Sequence, residues 1–283
     1  MNYRHAFHAG NFADVIKHAV LARIVAHLKE KPAAFRIIDT HAGAGVYDIA
    51  GPEAARTGEW RDGIAKLMAA KLAPTVRELL APYLDAVAAF NDGETLKTYP
   101  GSPGLAQCWL RPQDRLIACE REPNAARSLA ARMRGDNRVK TIEIDGYTAL
   151  NAYVPPKERR GLVLVDPPFE QPDEHDRIAQ GLAAAHRKWP TGIYALWYPI
   201  KEARESESFG RRLVRLGIHR MLRAELTLPG KAEERLRGSG MILINPPWKL
   251  ESEVAVLLPA LAEVLAAAPG SGGTRIGWLT GEK

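Results

Sequence analysis

Four consecutive residues, Asp166-Pro167-Pro168-Phe169, set a carboxylate, two stiff peptide units and an aromatic face side by side. Such a set suits methyl transfer to an exocyclic amino nitrogen on a planar ring. The lone pair of that nitrogen is delocalised into the ring, so attack needs an acceptor for each N–H that favours the pyramidal form. Asp166 is the expected first acceptor and the carbonyl of Pro167 the second, with the prolines holding the loop. Phe169 offers a ring on which a flipped or unpaired base can stack. Upstream, Asp39-Thr40-His41-Ala42-Gly43-Ala44-Gly45 joins a carboxylate to a glycine-rich turn, where missing side chains let backbone approach a ligand. The turn lacks the third glycine of the dinucleotide fingerprint and the Gly-Lys-Ser/Thr of a P-loop, so it is neither. Glu120 and Asp145-Gly146 complete the set, the first suited to accept ribose hydroxyls and the second to receive an adenine amino group.

The elements that must carry these residues alternate between short apolar runs and longer amphipathic ones from Phe35 to about Leu216. This is the signature of parallel strands joined by crossover helices, and the fold class is α/β. Strands are predicted at 35–39, 115–119, 139–144, 162–165 and 193–197. Asp39, Glu120, Asp145 and Asp166 then fall at the C-terminal ends of the first four, where open parallel sheets bind ligands. Acidic residues at successive strand ends are the pattern of the class I methyltransferases. Residues 219–228 and 241–244 read as an antiparallel pair closing the sheet, and 275–279 as a last strand after the flexible turn Gly270-Ser271-Gly272-Gly273. A second tetrapeptide, Asn245-Pro246-Pro247-Trp248, follows a strand expected at the far edge of the sheet, so the copy at Asp166 is the expected catalytic one. Between the first two strands the interval is too long for one crossover helix and carries helical patterns at 58–71 and 75–91. The expected organisation is a tail helix and first strand with the cofactor turn over 1–48, an inserted helical subdomain over 49–113, and the remaining methyltransferase domain over 114–283.

With 283 residues, 46% hydrophobic and 25% charged, the chain is long enough to bury a large core. Its formal charge of +6 favours a polyanionic partner. The two cysteines, Cys108 and Cys119, sit in or beside apolar stretches and read as small core residues, which argues against a disulfide scaffold or zinc site. No apolar run approaches the roughly 18 residues of a membrane span, so no membrane partner and a cytoplasmic location are expected. Four of the eight histidines fall at positions 5, 8, 18 and 27. Methyl transfer from a sulfonium needs no metal, and these side chains are expected as hydrogen-bond donors instead.

Further motifs accompany those above: Tyr3-Arg4-His5, His8-Ala9-Gly10-Asn11, Ala13-Asp14-Val15, Lys17-His18, Tyr99-Pro100-Gly101-Ser102-Pro103, Ala195-Leu196-Trp197-Tyr198-Pro199 and Asn245-Pro246-Pro247-Trp248-Lys249-Leu250. Together they resemble the RlmJ family of bacterial 23S rRNA adenine-N6 methyltransferases over essentially the whole chain. The resemblance implies a Rossmann-like class I methyltransferase fold with an inserted helical subdomain, S-adenosyl-L-methionine as cofactor and 23S rRNA as partner; a monomer without metal is expected. It implies that the N-terminal tail folds over the cofactor, with Lys17, His18, His41, Gly43, Ser102, Glu120, Asp145, Gly146 and Asp166 around it. Asp166, Pro167 and Phe169 take the catalytic roles, and Tyr3, Arg4 and Phe169 meet the substrate. The family often carries tyrosine at the position of Phe169, a change that keeps stacking and loses a phenolic hydrogen bond. Further RNA contacts are expected at Lys201, Arg204 and the loop from Lys231 to Arg237, with Arg56, Arg61 and Lys66 of the insertion widening the platform. The tetrapeptide alone fits other planar amines equally well, among them DNA adenine, cytosine N4 and a protein glutamine amide. An idle RNA-binding relative is disfavoured by the intact Asp166 and glycine turn.

Overall fold

Asn11 sets the start of the first long element: its extended backbone and side-chain oxygen cap the amide of Asp14, and helix α1 runs from there over Phe12–Lys29. Small or apolar residues occupy nearly every face of α1, and most are buried, because the helix lies between a sheet and further helices. The protein's computed structural model describes residues 5–93, 95–229 and 236–281. Its strands are β1 (Arg36–Asp39), β2 (Val46–Asp48), β3 (Thr98–Pro100), β4 (Arg115–Glu120), β5 (Val139–Glu143), β6 (Gly161–Val165), β7 (Ile193–Ile200), β8 (Met221–Thr227), β9 (Gly238–Ile244) and β10 (Gly273–Thr280). Eight of them form one sheet in the order β10-β8-β9-β7-β6-β1-β4-β5. Strands β5, β4, β1, β6 and β7 run parallel, and β1 pairs with β4 on one side and β6 on the other. That reversal of strand order beside β1 opens the crevice in which such sheets hold ligands. Every residue of β6 is buried, as befits a strand covered on both faces.

Strand β9 does not lie at the sheet edge, where the sequence reading put it. The β8–β9 hairpin folds β9 back between β7 and β8, antiparallel to both. All of Gly238–Ile244 is buried, a run that needs a neighbour on each side, whereas β10 is partly exposed along its whole length and takes the edge.

The remaining helices are α2 (Pro52–Thr57), α3 (Lys66–Ala69), α4 (Pro74–Ala88), α5 (Ser102–Trp109), α6 (Pro123–Arg132), α7 (Gly146–Ala152), α8 (Glu174–Lys188), α9 (Ala203–Val214) and α10 (Leu250–Leu265), with a π-helical turn at Arg61–Ala65. The antiparallel ribbon β2–β3 closes off the segment holding α2 to α4. Ile64, Leu67, Val76, Leu80, Tyr83 and Val87 of this segment join the same apolar cluster as α1 and α10, so the insertion shares the main core. Helix α5 packs on β1 and β4 and is the crossover between them; no strand signal separates it from the insertion in the sequence. Gly63 fastens the insertion to the tail, since its α-carbon lies so close to Gly10 that an added Cβ would come within 2.0 Å of the Gly10 carbonyl oxygen.

Candidate active site

Asp39 ends β1 fully buried, and burial pushes its carboxyl up to about 7, with the Ser102 hydroxyl opposing and the charge of Asp166 adding to the rise. The His41 amide donates to its Oδ1 at 3.3 Å, while Oδ2 has no hydrogen-bond partner among the described residues. In the following turn Gly43 takes a left-handed φ of +61°. The Gly43 amide donates to Glu120 Oε2 at 2.8 Å, and the Glu122 amide to Glu120 Oε1 at 2.7 Å. Amides from two loops thus aim the Glu120 carboxylate.

Thr40 donates its hydroxyl proton to the Leu164 carbonyl at 2.8 Å, so the His41 Nδ1, 2.8 Å from that hydroxyl, must be the donor and Nε2 the acceptor. Burial pulls the His41 pKa down to about 4, which fixes the neutral ring. Its ring crowds Gly146, where an added Cβ would lie 2.5 Å from it. Asp145 caps α7 by accepting the Thr148 amide at 3.1 Å and faces Arg177 at 3.4 Å. Burial opposes its ionisation, but these partners hold the carboxyl below its usual range.

Beyond β6, Asp166 Oδ2 lies 2.5 Å from Lys17 Nζ, which also touches Asp14 Oδ1 at 2.8 Å. Burial alone would strip the Lys17 proton; the two carboxylates raise its pKa instead. Asp14 accepts in addition from the Gly10 amide at 2.9 Å and pairs with His5 Nε2 at 3.0 Å. Although burial opposes it, His5 and Lys17 hold Asp14 well below the usual carboxylate range. The tail is therefore wired to Asp166 through Asp14 and Lys17. His5 also sits against Tyr47 at 5.0 Å, and Glu59 of the insertion binds His8 Nδ1 at 2.9 Å and accepts from Asn11 Nδ2 at 3.0 Å. Phe169 has a left-handed φ of +51°, and its ring lies 5.7 Å from Trp197 and 5.4 Å from His175.

Lys17, His41, Gly43, Ser102, Glu120, Asp145, Gly146 and Asp166 thus gather at the C-terminal ends of β1, β4, β5 and β6. His18 sits deeper, fully buried, with Nδ1 2.6 Å from the Tyr99 hydroxyl, which in turn meets Tyr83 at 2.8 Å. Burial pulls His18 down to about 3, and its Nε2 has no partner among the described residues. Tyr3, Arg4 and most of the expected RNA loop, residues 231–235, lie outside the described residues. Lys66 Nζ donates to the Ala266 carbonyl at 2.6 Å and so caps the end of α10. Sequence reasoning passed over Asp14, Tyr47 and Trp197 as site residues. Asp14 alone carried a signal, a charge inside an otherwise apolar helix.

The second tetrapeptide ends elsewhere. Because β9 runs antiparallel, Ile244 pairs with Tyr194 near the start of β7, and Asn245 lies at the opposite end of the sheet from Asp166. Its Nδ2 donates to the carbonyls of Pro190 and Gly192 at 2.7 and 2.9 Å, and its φ of +50° is one that asparagine tolerates. Asn245→Ala is expected to lower unfolding free energy by about 1–2 kcal/mol while turnover per folded molecule holds. Denaturant melts beside normalised rates check this; a normal melt with lost turnover would make the far end of the sheet catalytic.

A family model described as ribosomal RNA large subunit methyltransferase D, RlmJ, matches residues 32–280. The chain is 40% identical over 283 residues to ribosomal RNA large subunit methyltransferase J of Escherichia coli strain K12, with 100% of both chains covered. It is 38% identical over 285 residues, again with 100% coverage of both, to the protein of that name in Haemophilus influenzae. A crystal structure of a Legionella pneumophila protein, 35% identical, superposes with a TM-score of 0.88 over 96% of this chain and 98% of that one.

Proposed function

The chain belongs to the RlmJ family of ribosomal RNA large subunit methyltransferases, and we propose that it methylates the N6 of one adenosine in 23S rRNA at the site around Asp166. It is an S-adenosylmethionine-dependent rRNA methyltransferase. The observation that carries the finer reading is the position of Asp166-Pro167-Pro168-Phe169 at the C-terminal end of β6, beside the central β1.

The residues present fit the cofactor. Asp39 Oδ2 is a buried acceptor and His18 Nε2 a buried ring nitrogen, both without partners among the described residues, suited to an ammonium and a carboxylate. Glu120, aimed by two amides, suits a ribose diol, and the neutral His41, packed against Gly146, presents an acceptor nitrogen suited to an adenine amino group. Bound S-adenosylmethionine supplies a methyl group made electrophilic by its sulfonium. Asp166, held in place by Lys17, accepts one N–H of the target amine, and the Pro167 carbonyl accepts the other. Phe169 stacks on the base, and the tail, joined to Lys17 through Asp14, excludes water.

Labelled cofactor incubated with the protein and unmodified rRNA, DNA or protein fractions tests the reading. Label in one rRNA adenosine is expected; label confined to DNA or protein would sink it. A pH dependence follows from Asp39. Its carboxyl is neutral below about 7, and an ammonium partner favours the ionised form, so binding releases a proton there. Cofactor affinity is expected to rise by up to about tenfold per unit as pH climbs toward neutrality and then to level off. Calorimetry across pH should find that slope flattened in Asp39→Asn; an unchanged slope would remove the ammonium from Asp39.

A further inference from the structure

Phe169 borders a second compartment. A cleft of about 260 Å³ is lined by Phe169, Gln171, His175, Tyr198, Lys201 and Glu205 among others. Asp39, Glu120, Asp145, Asp166, Lys17 and Trp197 do not line it. Its walls thus differ from the groups gathered around Asp166, and both adjoin the Phe169 ring.

An aromatic array backs this cleft. The His175 ring lies 5.4 Å from Phe169 and 4.6 Å from Phe209, which in turn lies 5.4 Å from Tyr198. Burial, with Arg212 adding to it, pulls the His175 pKa down, so the ring is neutral and suited to stacking. Around it stand the Gln171 carboxamide, the Glu205 carboxylate and the Lys201 ammonium. A carboxylate accepts and cannot donate, so this rim favours a base edge rich in N–H groups, of which guanine offers the most. Lysine suits a phosphate.

We propose that this cleft receives the nucleotide next to the methylated adenosine, its base against His175 and Phe169, its N–H edge on Glu205 and Gln171, and its phosphate on Lys201. Recognition of splayed, single-stranded RNA works through such stacking and edge contacts. A neighbour read in this way lets an enzyme choose one adenosine among many. The proposal rests on the reading of the target as an rRNA adenosine.

An rRNA fragment carrying the mapped adenosine, with each neighbouring nucleotide changed through all four bases, gives kcat and KM for the wild type, His175→Ala and Glu205→Gln. Loss of one base stack in His175→Ala is expected to raise KM about tenfold with kcat little changed. Glu205→Gln keeps shape and melting temperature, and is expected to shrink the ratio between best and worst neighbour by about tenfold. S-adenosylmethionine affinity should match the wild type in both. The same neighbour preference in Glu205→Gln as in wild type, or a fall in kcat alone in His175→Ala, overturns the cleft assignment. Wild-type protein that methylates DNA or protein and no rRNA overturns the substrate reading, and the cleft proposal with it.

Discussion

Asp166→Ala is expected to reduce methyl transfer by about 10²–10³-fold or more, while S-adenosylmethionine still binds. The substitution removes the acceptor that faces the target nitrogen, and the neighbouring carboxylates have other tasks: Asp14 is committed to Lys17, His5 and the Gly10 amide, Asp145 to Thr148 and Arg177, and Asp39 is assigned to the cofactor's ammonium. The groups assigned to the cofactor, among them Glu120 and Asp39, belong to other strands and keep their partners. Lys17 loses one of two carboxylates and stays paired with Asp14, so the variant avoids an isolated buried charge and should fold. Asp166→Asn keeps a carbonyl acceptor and is expected to retain a measurable rate. Calorimetry with the cofactor beside a methylation assay separates the two effects. An active Ala variant would move the chemistry away from Asp166.

How far the sequence could be read follows from the range of each interaction. The strand-end carboxylates Asp39, Glu120 and Asp166 were legible because each closes a short apolar run, and the parallel register then places them together. Asp145 was legible as a strand-end acid that can also cap a helix, and its pairing with Arg177, 32 positions on, needed the structure. Lys17 came from resemblance alone, since its partner Asp166 lies 149 positions away and nothing local announces the pair. The place of β9 was misread because a hairpin pattern fixes pairing between its own strands and leaves open which of them meets the rest of the sheet. The extent of the insertion has little local signal for a related reason: α5 is amphipathic like its predecessors, and the ribbon β2–β3 has only three residues in each strand.

Deleting residues 1–8 is expected to leave the fold intact and to cut turnover by about 10²-fold, as misplacement of a catalytic group does. Among the described residues the buried core begins at Ala9, so the deletion is expected to expose little apolar surface. It removes His5 from Asp14 and Tyr47, and His8 from Glu59. Asp14 keeps the Gly10 amide and Lys17, so the ion pair to Asp166 persists but loses the ring that covers it. The Phe7 carbonyl also accepts from Thr57, and Arg56 lies 6.0 Å from the Phe7 ring, so the insertion holds the tail in place as a lid would be held. Exposed contacts of this kind contribute little to stability, which is why the melting temperature should fall only slightly. Hydrogen exchange of the intact protein should slow across residues 5–10 when a cofactor analogue and RNA are both present, and less with either alone. Full turnover in the truncated enzyme, with no ligand-dependent protection in the intact one, would make the segment a frayed terminus and leave water exclusion to the rest of the site.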